Sequence, residues 1–474
     1  MLELASKPPL LALLIALLAV AALAATVGRR APALVARLGT SIAIIGALGA
    51  IVGVAVAPDH LAAALLVLVF GVSAIAQGYG VRYLAGDDRS YWFTCGATLL
   101  TAASVVMATA TTMVALAIGW TAVGLALCLL LATYRELPAA RDGVRRTALA
   151  FALGDSALWG AVGLHHLDAD RFAPAAAVLI AIAALSRTAQ IPFHRWLPAT
   201  LAAPTPVSAL LHAGVVNGGG VLLVKLAGLS TPLAAGIIVA AGIASMAYGV
   251  LMMLTRPDIK GALTYSTMAQ MGFMMLTCGL GLWAAAVIHL IGHGFYKATL
   301  FLSSGTAIAR HRRHHLLASP AQISGHARWG VAAAAALLPL SALTTGVALV
   351  PPWQEGHAAE LALLVFAWLA GAAATWGWLH RQPTALGVLG VTVVLFPAAV
   401  AYVAMISMVS RYLGPALPES TAPPMTVWVV IVAGLALLGT LASVRTWRPA
   451  RGIQRALYAH AISAGTLHPT GAHR

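Results

Sequence analysis

LWAAAVIHLIGHGFYKATLFLSSGTAI, residues 282–308, holds no acidic residue and a single formal charge, Lys297. About 20 apolar residues at 1.5 Å each cross the hydrocarbon core of a bilayer, so this stretch reads as a membrane-spanning helix. Within it His289, His293 and Lys297 recur at i, i+4 and i+8 and therefore lie on one helix face. They form a ladder about 12 Å long. A titratable group at membrane depth is costly and is read first as functional; three on one face of an apolar helix read as an ion pathway. Neutral histidine both donates and accepts, and lysine can load and release a proton.

The rest of the chain is of the same kind. Of 474 residues, 61% are hydrophobic and 9% charged, against about 45–50% and about 25% in an ordinary soluble domain. So few charges cannot cover a water-facing surface, which excludes a soluble enzyme, a disordered chain and a nucleic-acid binder. The net charge of +15 reads as arginine-rich cytoplasmic loops. Cys95, Cys128 and Cys278 lie scattered in apolar runs and read as small core residues, with no disulfide or metal framework. The ladder histidines have no accompanying carboxylate or thiolate, so neither zinc nor haem is expected in this chain.

The fold class is an all-α polytopic membrane protein of about fifteen spans. They read at 9–28, 33–57, 61–81, 91–109, 111–134, 144–164, 172–188, 204–227, 231–254, 258–280, 282–308, 329–350, 358–379, 384–408 and 425–445. Connections after odd-numbered spans carry the arginines, among them Arg29, Arg30, Arg37, Arg82, Arg89, Arg135, Arg141, Arg145, Arg146, Arg310, Arg312 and Arg313. Those after even-numbered spans hold little beyond Arg171 and Arg411. Positive charge stays in the cytoplasm, which puts the N-terminus outside and the tail, with Arg448, Arg451 and Arg455, inside. The first span is read as retained, since its only preceding cation is Lys7, rather than as a cleaved signal peptide.

Residues 1–90 supply spans 1–3, 91–230 a first five-helix repeat, 231–380 a second, 381–445 two further helices, and 446–474 a basic tail. An odd number of spans makes the repeats inverted in the membrane. The fourth member of each, spans 7 and 12, reads as broken: Ser186-Arg187 runs on to Pro192, and Pro339 precedes Thr344-Thr345-Gly346. Span 8 adds Pro204-Thr205-Pro206 and Asn217-Gly218-Gly219-Gly220. Broken helices line cavities or pack within protein; the alternative is proline kinks that only shape packing. Asp155 sits in the middle of span 6 and needs a partner, for which Arg187 is the candidate. His212 lies within span 8. Lys260 opens span 10, either turning into the membrane or reaching back to the interface. Lys225 and Glu360 read as interfacial.

Several motifs carry a resemblance. Pro192-Phe193-His194-x-Trp196-Leu197-Pro198, Pro204-Thr205-Pro206-Val207-Ser208-Ala209-Leu210-x-His212-Ala213, Asp258-Ile259-Lys260 and Tyr265-Ser266-Thr267-Met268-x-Gln270 resemble the antiporter-like subunits of respiratory complex I (the NADH dehydrogenase subunit 5 family) and of Mrp cation antiporters. The ladder ending at Phe301-Leu302 does so too, and the match covers roughly residues 80–310. The run His212-Ala213-Gly214-Val215-Val216-Asn217-x-Gly219-Gly220, with the short C-terminal part, is similar to the DabB-type subunits of two-component inorganic-carbon pumps.

The resemblance implies that Arg187 stands at the family's span-7 lysine, and that His212, Lys260, His289, His293 and Lys297 stand at ion-pathway positions. Asp155 matches the Gly-Asp of span 6. Thr121 replaces the span-5 glutamate, and the span-12 lysine has no counterpart. Arginine does not release its proton, so the first half-channel is expected to be degenerate, with Arg187 and Asp155 a fixed pair. The resemblance further implies a prokaryotic plasma-membrane protein that conducts H⁺ or Na⁺, without catalysis or cofactor of its own. Its partner would be a large zinc-containing subunit (the DabA type) related to β-carbonic anhydrases, hydrating CO₂ on the cytoplasmic side. The alternatives are a proton-translocating subunit of a complex I-type dehydrogenase or Mrp antiporter, and a non-conducting membrane anchor for the zinc subunit.

Overall fold

A computed structural model describes residues 8–305, 325–350 and 358–418, with positions 428, 432, 452 and 459. Among them are fifteen α-helices and no strand. We label these α1 (Pro8–Val27), α2 (Pro32–Val56), α3 (His60–Tyr83), α4 (Ser90–Thr109), α5 (Met113–Leu131), α6 (Pro138–Leu167), α7 (Ala169–Arg187) and α8 (Thr205–Ala213). The others are α9 (Gly218–Lys225), α10 (Pro232–Thr255), α11 (Ile259–Gly279), α12 (Trp283–Leu302), α13 (Gly325–Leu349), α14 (Ala358–Arg381) and α15 (Ala385–Leu413). Apart from positions 428, 432, 452 and 459, the fifteenth expected span and the basic tail lie outside the described residues, as do Arg310, Arg312 and Arg313.

Among the described residues thirteen segments are long and apolar enough to cross a membrane, and they correspond to spans 1–9 and 11–14 of the sequence reading. The tenth, α11, is a helix of 21 residues but falls outside that set. Lys260, Thr264, Ser266, Thr267 and Gln270 lower its hydropathy, and most of its length is buried among other helices. A span that faces protein rather than lipid can carry polar side chains if each finds a partner.

The interruptions fall partly elsewhere than expected. The helix α7 stops at Arg187, and the chain then passes through a 3₁₀ turn at His194–Thr200. Its end is a Schellman motif: Gln190 N–H donates to Leu185 O (3.0 Å) and Ala189 N–H to Ser186 O (3.3 Å). Ala189 takes the left-handed conformation there, φ 53°, where glycine is usual. The expected break at Pro339 is absent, because α13 runs through that proline as one helix. A proline forfeits one hydrogen bond and kinks a helix without ending it when neighbouring structure compensates. A break inside a span lies in the eighth, at the Asn217-Gly218-Gly219-Gly220 stretch that the sequence marks, where a 3₁₀ turn at Val215–Asn217 separates α8 from α9.

The described residues form two compact units. The first takes in α1–α11 and residues 289–305; the second takes in residues 282–288 and α13–α15, so the boundary passes through α12. In the first unit α10 lies against α11 with backbones in close approach. A Cβ on Gly272 would sit 2.6 Å from the carbonyl oxygen of Gly242, and one on Gly249 would sit 2.8 Å from the amide nitrogen of Ala269. Small residues at one face are what allow such approach between membrane helices. Gly272→Val is therefore expected to cost about 1–3 kcal/mol through overpacking. It should lower the thermal midpoint of the detergent-purified protein, whereas Gly292→Val, at a position with open space around it, should not.

The second unit is a packed group of α13, α14 and α15 around Ala342, Leu343, Ala399 and Val403. Indole N–H groups tie its helices together: Trp368 donates to Ala336 O (2.8 Å) and Trp378 to Gly387 O (2.9 Å). Glu360, read as interfacial, is buried in the structure.

Candidate ion pathway

Two clusters of ionisable residues occupy the first unit, one on each side of the broken helix. The first is built on Arg187 at the end of α7. Its side chain is 1% exposed, and Nη2 donates to Asp155 Oδ1 at 2.8 Å. Nη1 donates to the carbonyl oxygen of Trp120 at 3.1 Å. The guanidinium also lies 4.2 Å from the ring centre of Trp120 and 4.1 Å from that of Phe151, stacked as a planar cation can be and an ammonium cannot. Gly124 makes room for it, since a Cβ there would stand 3.1 Å from Nη2. Held by a carboxylate, a carbonyl and two rings, Arg187 is a fixed charge. Thr121 has a neutral hydroxyl that accepts from the indole N–H of Trp159 at 3.1 Å.

The second cluster lies on α12, α11 and α8. On α12 the rings of His289 and His293 stack with centroids 5.6 Å apart, and Phe273 meets His289 edge-on at 4.9 Å. His289 Nε2 and both ring nitrogens of His293 are buried and find no protein partner. One turn further on, Lys297 is fully buried. Its Nζ donates to the hydroxyl of Ser266 and to the carbonyl of Leu263 (3.5 Å), both on α11. Among the described residues no carboxylate pairs with it. His212, at the end of α8, is 2% exposed and stacks flat on Phe301 of α12, 4.2 Å between centroids and 9° between planes. It lies within electrostatic reach of Lys297 and Lys260. Lys260 is half-buried, and its Nζ donates to the carbonyl of Ala203 at 3.1 Å, so it turns inward onto protein.

The broken helix sits between the clusters. Asn217 uses its amide to donate to the carbonyl of Ala213 (2.8 Å), freed by the break, and to Leu290 O on α12 (3.2 Å). The three glycines behind it face three neighbours. A Cβ on Gly218 would meet Arg187 and Trp120 at ordinary contact distance, one on Gly219 would fall 2.6 Å from Ala184 O, and one on Gly220 would fall 2.6 Å from the sulfur of Met274.

The structure thus brings Arg187 to Asp155, and gathers His289, His293, Lys297, His212 and Lys260 on facing elements. Ser266, Phe301, Trp120 and Phe151 also belong to these clusters, a place that only the packing gives them. Ser266 and Phe301 stood inside the quoted motifs, but only the packing of α11 and α8 on α12 shows which of those motif residues touches the ladder.

This geometry, a broken helix packed on a titratable ladder in an all-helical membrane bundle, is that of antiporter-like membrane subunits. Residues 110–380 match the family described as NADH:quinone oxidoreductase/Mrp antiporter, transmembrane, and the chain belongs to it. Within that family it is of the DabB type. It is 33% identical over 420 residues to "Probable inorganic carbon transporter subunit DabB" of Bacillus subtilis, covering 82% of this chain and 78% of that protein. It is 36% identical over 346 residues to subunit DabB1 of Halothiobacillus neapolitanus, 65% of this chain and 62% of that protein. The match to DabB2 of the same organism covers 46% of that relative, so the chain spans about half to two thirds of the length of these two. It is also 33% identical over 271 residues to NADH-quinone oxidoreductase subunit L of Mycobacterium tuberculosis, 53% of this chain and 43% of that one. The fold is that of a chain in the Mrp complex of a Dietzia species, with a TM-score of 0.60 and 24% identity over 98% of this chain and 60% of that one.

Proposed function

We propose that this antiporter-like membrane subunit conducts protons through the α12 ladder and so drives inorganic-carbon accumulation by a partner. One observation carries the conduction reading: Lys297 is fully buried and, among the described residues, has only a hydroxyl and a carbonyl as hydrogen-bond partners, beside His289 Nε2 and both ring nitrogens of His293, which find no protein partner. A buried lysine with no carboxylate beside it bears an uncompensated charge unless it gives up its proton. Histidine and lysine exchange protons, and the absence of a carboxylate at the ladder among the described residues favours H⁺ over Na⁺, which prefers oxygen ligands. The first cluster, with its fixed Arg187–Asp155 pair and its neutral Thr121, serves as a structural anchor, and the path lies in the second.

The carbon chemistry is assigned to a partner. The DabB names of the relatives support an inorganic-carbon role, and the resemblance points to a zinc-containing, β-carbonic-anhydrase-like subunit on the cytoplasmic side. The arginine distribution supports an N-terminus that faces outside. Affinity purification of this chain from its native membrane, with metal analysis and identification of what comes with it, tests this. A large zinc protein is expected; quinone-reducing or iron–sulfur subunits in its place would make the chain part of a redox complex.

A further inference from the structure

The conduction reading leaves open how protons reach the broken helix, and a seam of buried polar groups between α3 and α4 supplies a route. On α4, Thr94, Thr98, Thr101 and Ser104 recur at i, i+4, i+7 and i+10, on one helix face. On α3, Ser73 and Gln77 face them. Gln77 Nε2 donates to Ser73 Oγ at 2.9 Å, and Ser73 Oγ and Thr101 Oγ1 share a hydrogen bond of 2.7 Å. Ser73, Gln77 and Thr101 are 1–3% exposed.

This seam joins two cavities. At one end an open cavity of about 800 Å³ reaches Gln77 and Thr94 at the loop ends of α2, α3 and α4, where Arg29, Arg37 and Asp87 also line it. At the other end a cavity of about 60 Å³ is walled mainly by apolar side chains, Met107 among them, with Ser73, Thr101, Ser104 and Asn217 supplying its polar groups. That volume exceeds the ~10–15 Å³ that one water needs. Two acceptors along the route, Gln77 Oε1 and Asn217 Oδ1, are buried and have no protein partner. Leaving each unpaired costs about 1–3 kcal/mol, and water in the file removes that cost. Asn217 in turn donates to Leu290 O on the ladder helix.

We propose that water in this α3–α4 file carries protons from the loop-end cavity through Gln77, Ser73 and Thr101 to Asn217 at the broken helix. The proposal rests on the conduction reading, and two measurements keep their failures apart. The first is X-ray radiolytic footprinting of the purified complex, in which radicals formed from bound water oxidise adjacent methionines to the sulfoxide. Met107 lines the small cavity, whereas the fully buried Met252 does not. Met107 is expected to be oxidised about ten-fold faster than Met252, and Thr101→Leu, which fills the cavity, should bring the two rates together. Equal, slow oxidation in the wild type would show a dry seam and overturn the proposal.

The second measurement is carbon uptake by the assembled Thr101→Leu complex, with Lys297→Ala beside it. Uptake well below wild type in both is expected. A wet cavity whose filling leaves uptake unchanged, while Lys297→Ala abolishes it, would overturn the proton role of the file and leave the ladder intact. Full uptake in Lys297→Ala would instead sink the conduction reading. Ser104→Leu fills the same cavity from its rim and replaces Thr101→Leu if that variant fails to assemble.

Discussion

Lys297→Ala is expected to reduce carbon-dependent uptake to the level of cells lacking the complex, with the amount of assembled complex unchanged. Lys297 is the end of the His289–His293 column and the only formally charged residue of that span. Its ammonium is held by a hydroxyl and a carbonyl of α11, which position it without neutralising it. Removing it therefore takes away the carrier on which the proposed path depends and leaves no stranded countercharge. Lys297→Arg should be as inactive as Lys297→Ala, because arginine keeps its proton. Ser266→Ala should lower uptake several-fold by loosening the ammonium. A Lys297→Arg complex with wild-type uptake would show that the site needs only a fixed charge.

The second large effect concerns stability. Arg187 is buried and Asp155 partly buried, so removing Asp155 strands a buried charge at a cost of about 3–5 kcal/mol, and removing Arg187 strands a partly solvated one at a smaller cost. Arg187→Ala and Asp155→Ala should each lower the yield of folded protein. The double substitution to alanine should restore part of it, since no charge is then left unpaired. Arg187→Lys should fall between wild type and Arg187→Ala: the charge remains, but the bond to Trp120 O and the stacking between Trp120 and Phe151 depend on a planar fork. Folded yield by fluorescence-detected size exclusion, read as a double-mutant cycle, measures the coupling. Additive losses would show that the pair does not act as one unit.

Much of this arrangement is legible in the sequence, because membrane helices obey a strong rule. Apolar stretches of about 20 residues have almost no other use, and the spacing of His289, His293 and Lys297 fixes a shared face whatever packs against it. The pairing of Asp155 with Arg187 was accessible for a similar reason: few charges sit at membrane depth, so few partners are available. What stayed hidden depends on three-dimensional approach. Pro339 marks a kink in one context and a break in another, and only the neighbours decide. The triple glycine at 218–220 announces a special backbone, yet which helix each glycine faces follows from packing. The α3–α4 seam was invisible as well, since Ser73, Gln77 and the α4 threonines lie in ordinary apolar spans and gain meaning only when two helix faces meet.

Proton flux through the isolated complex tests the central claim most directly. The intact complex, reconstituted into liposomes with an internal pH dye and driven by a potassium diffusion potential, should acidify the lumen when the interior is negative. Lys297→Ala complex should give the rate of empty liposomes. A wild-type complex that is active in carbon hydration but no more permeable to protons than protein-free liposomes would contradict the account and make the chain an anchor.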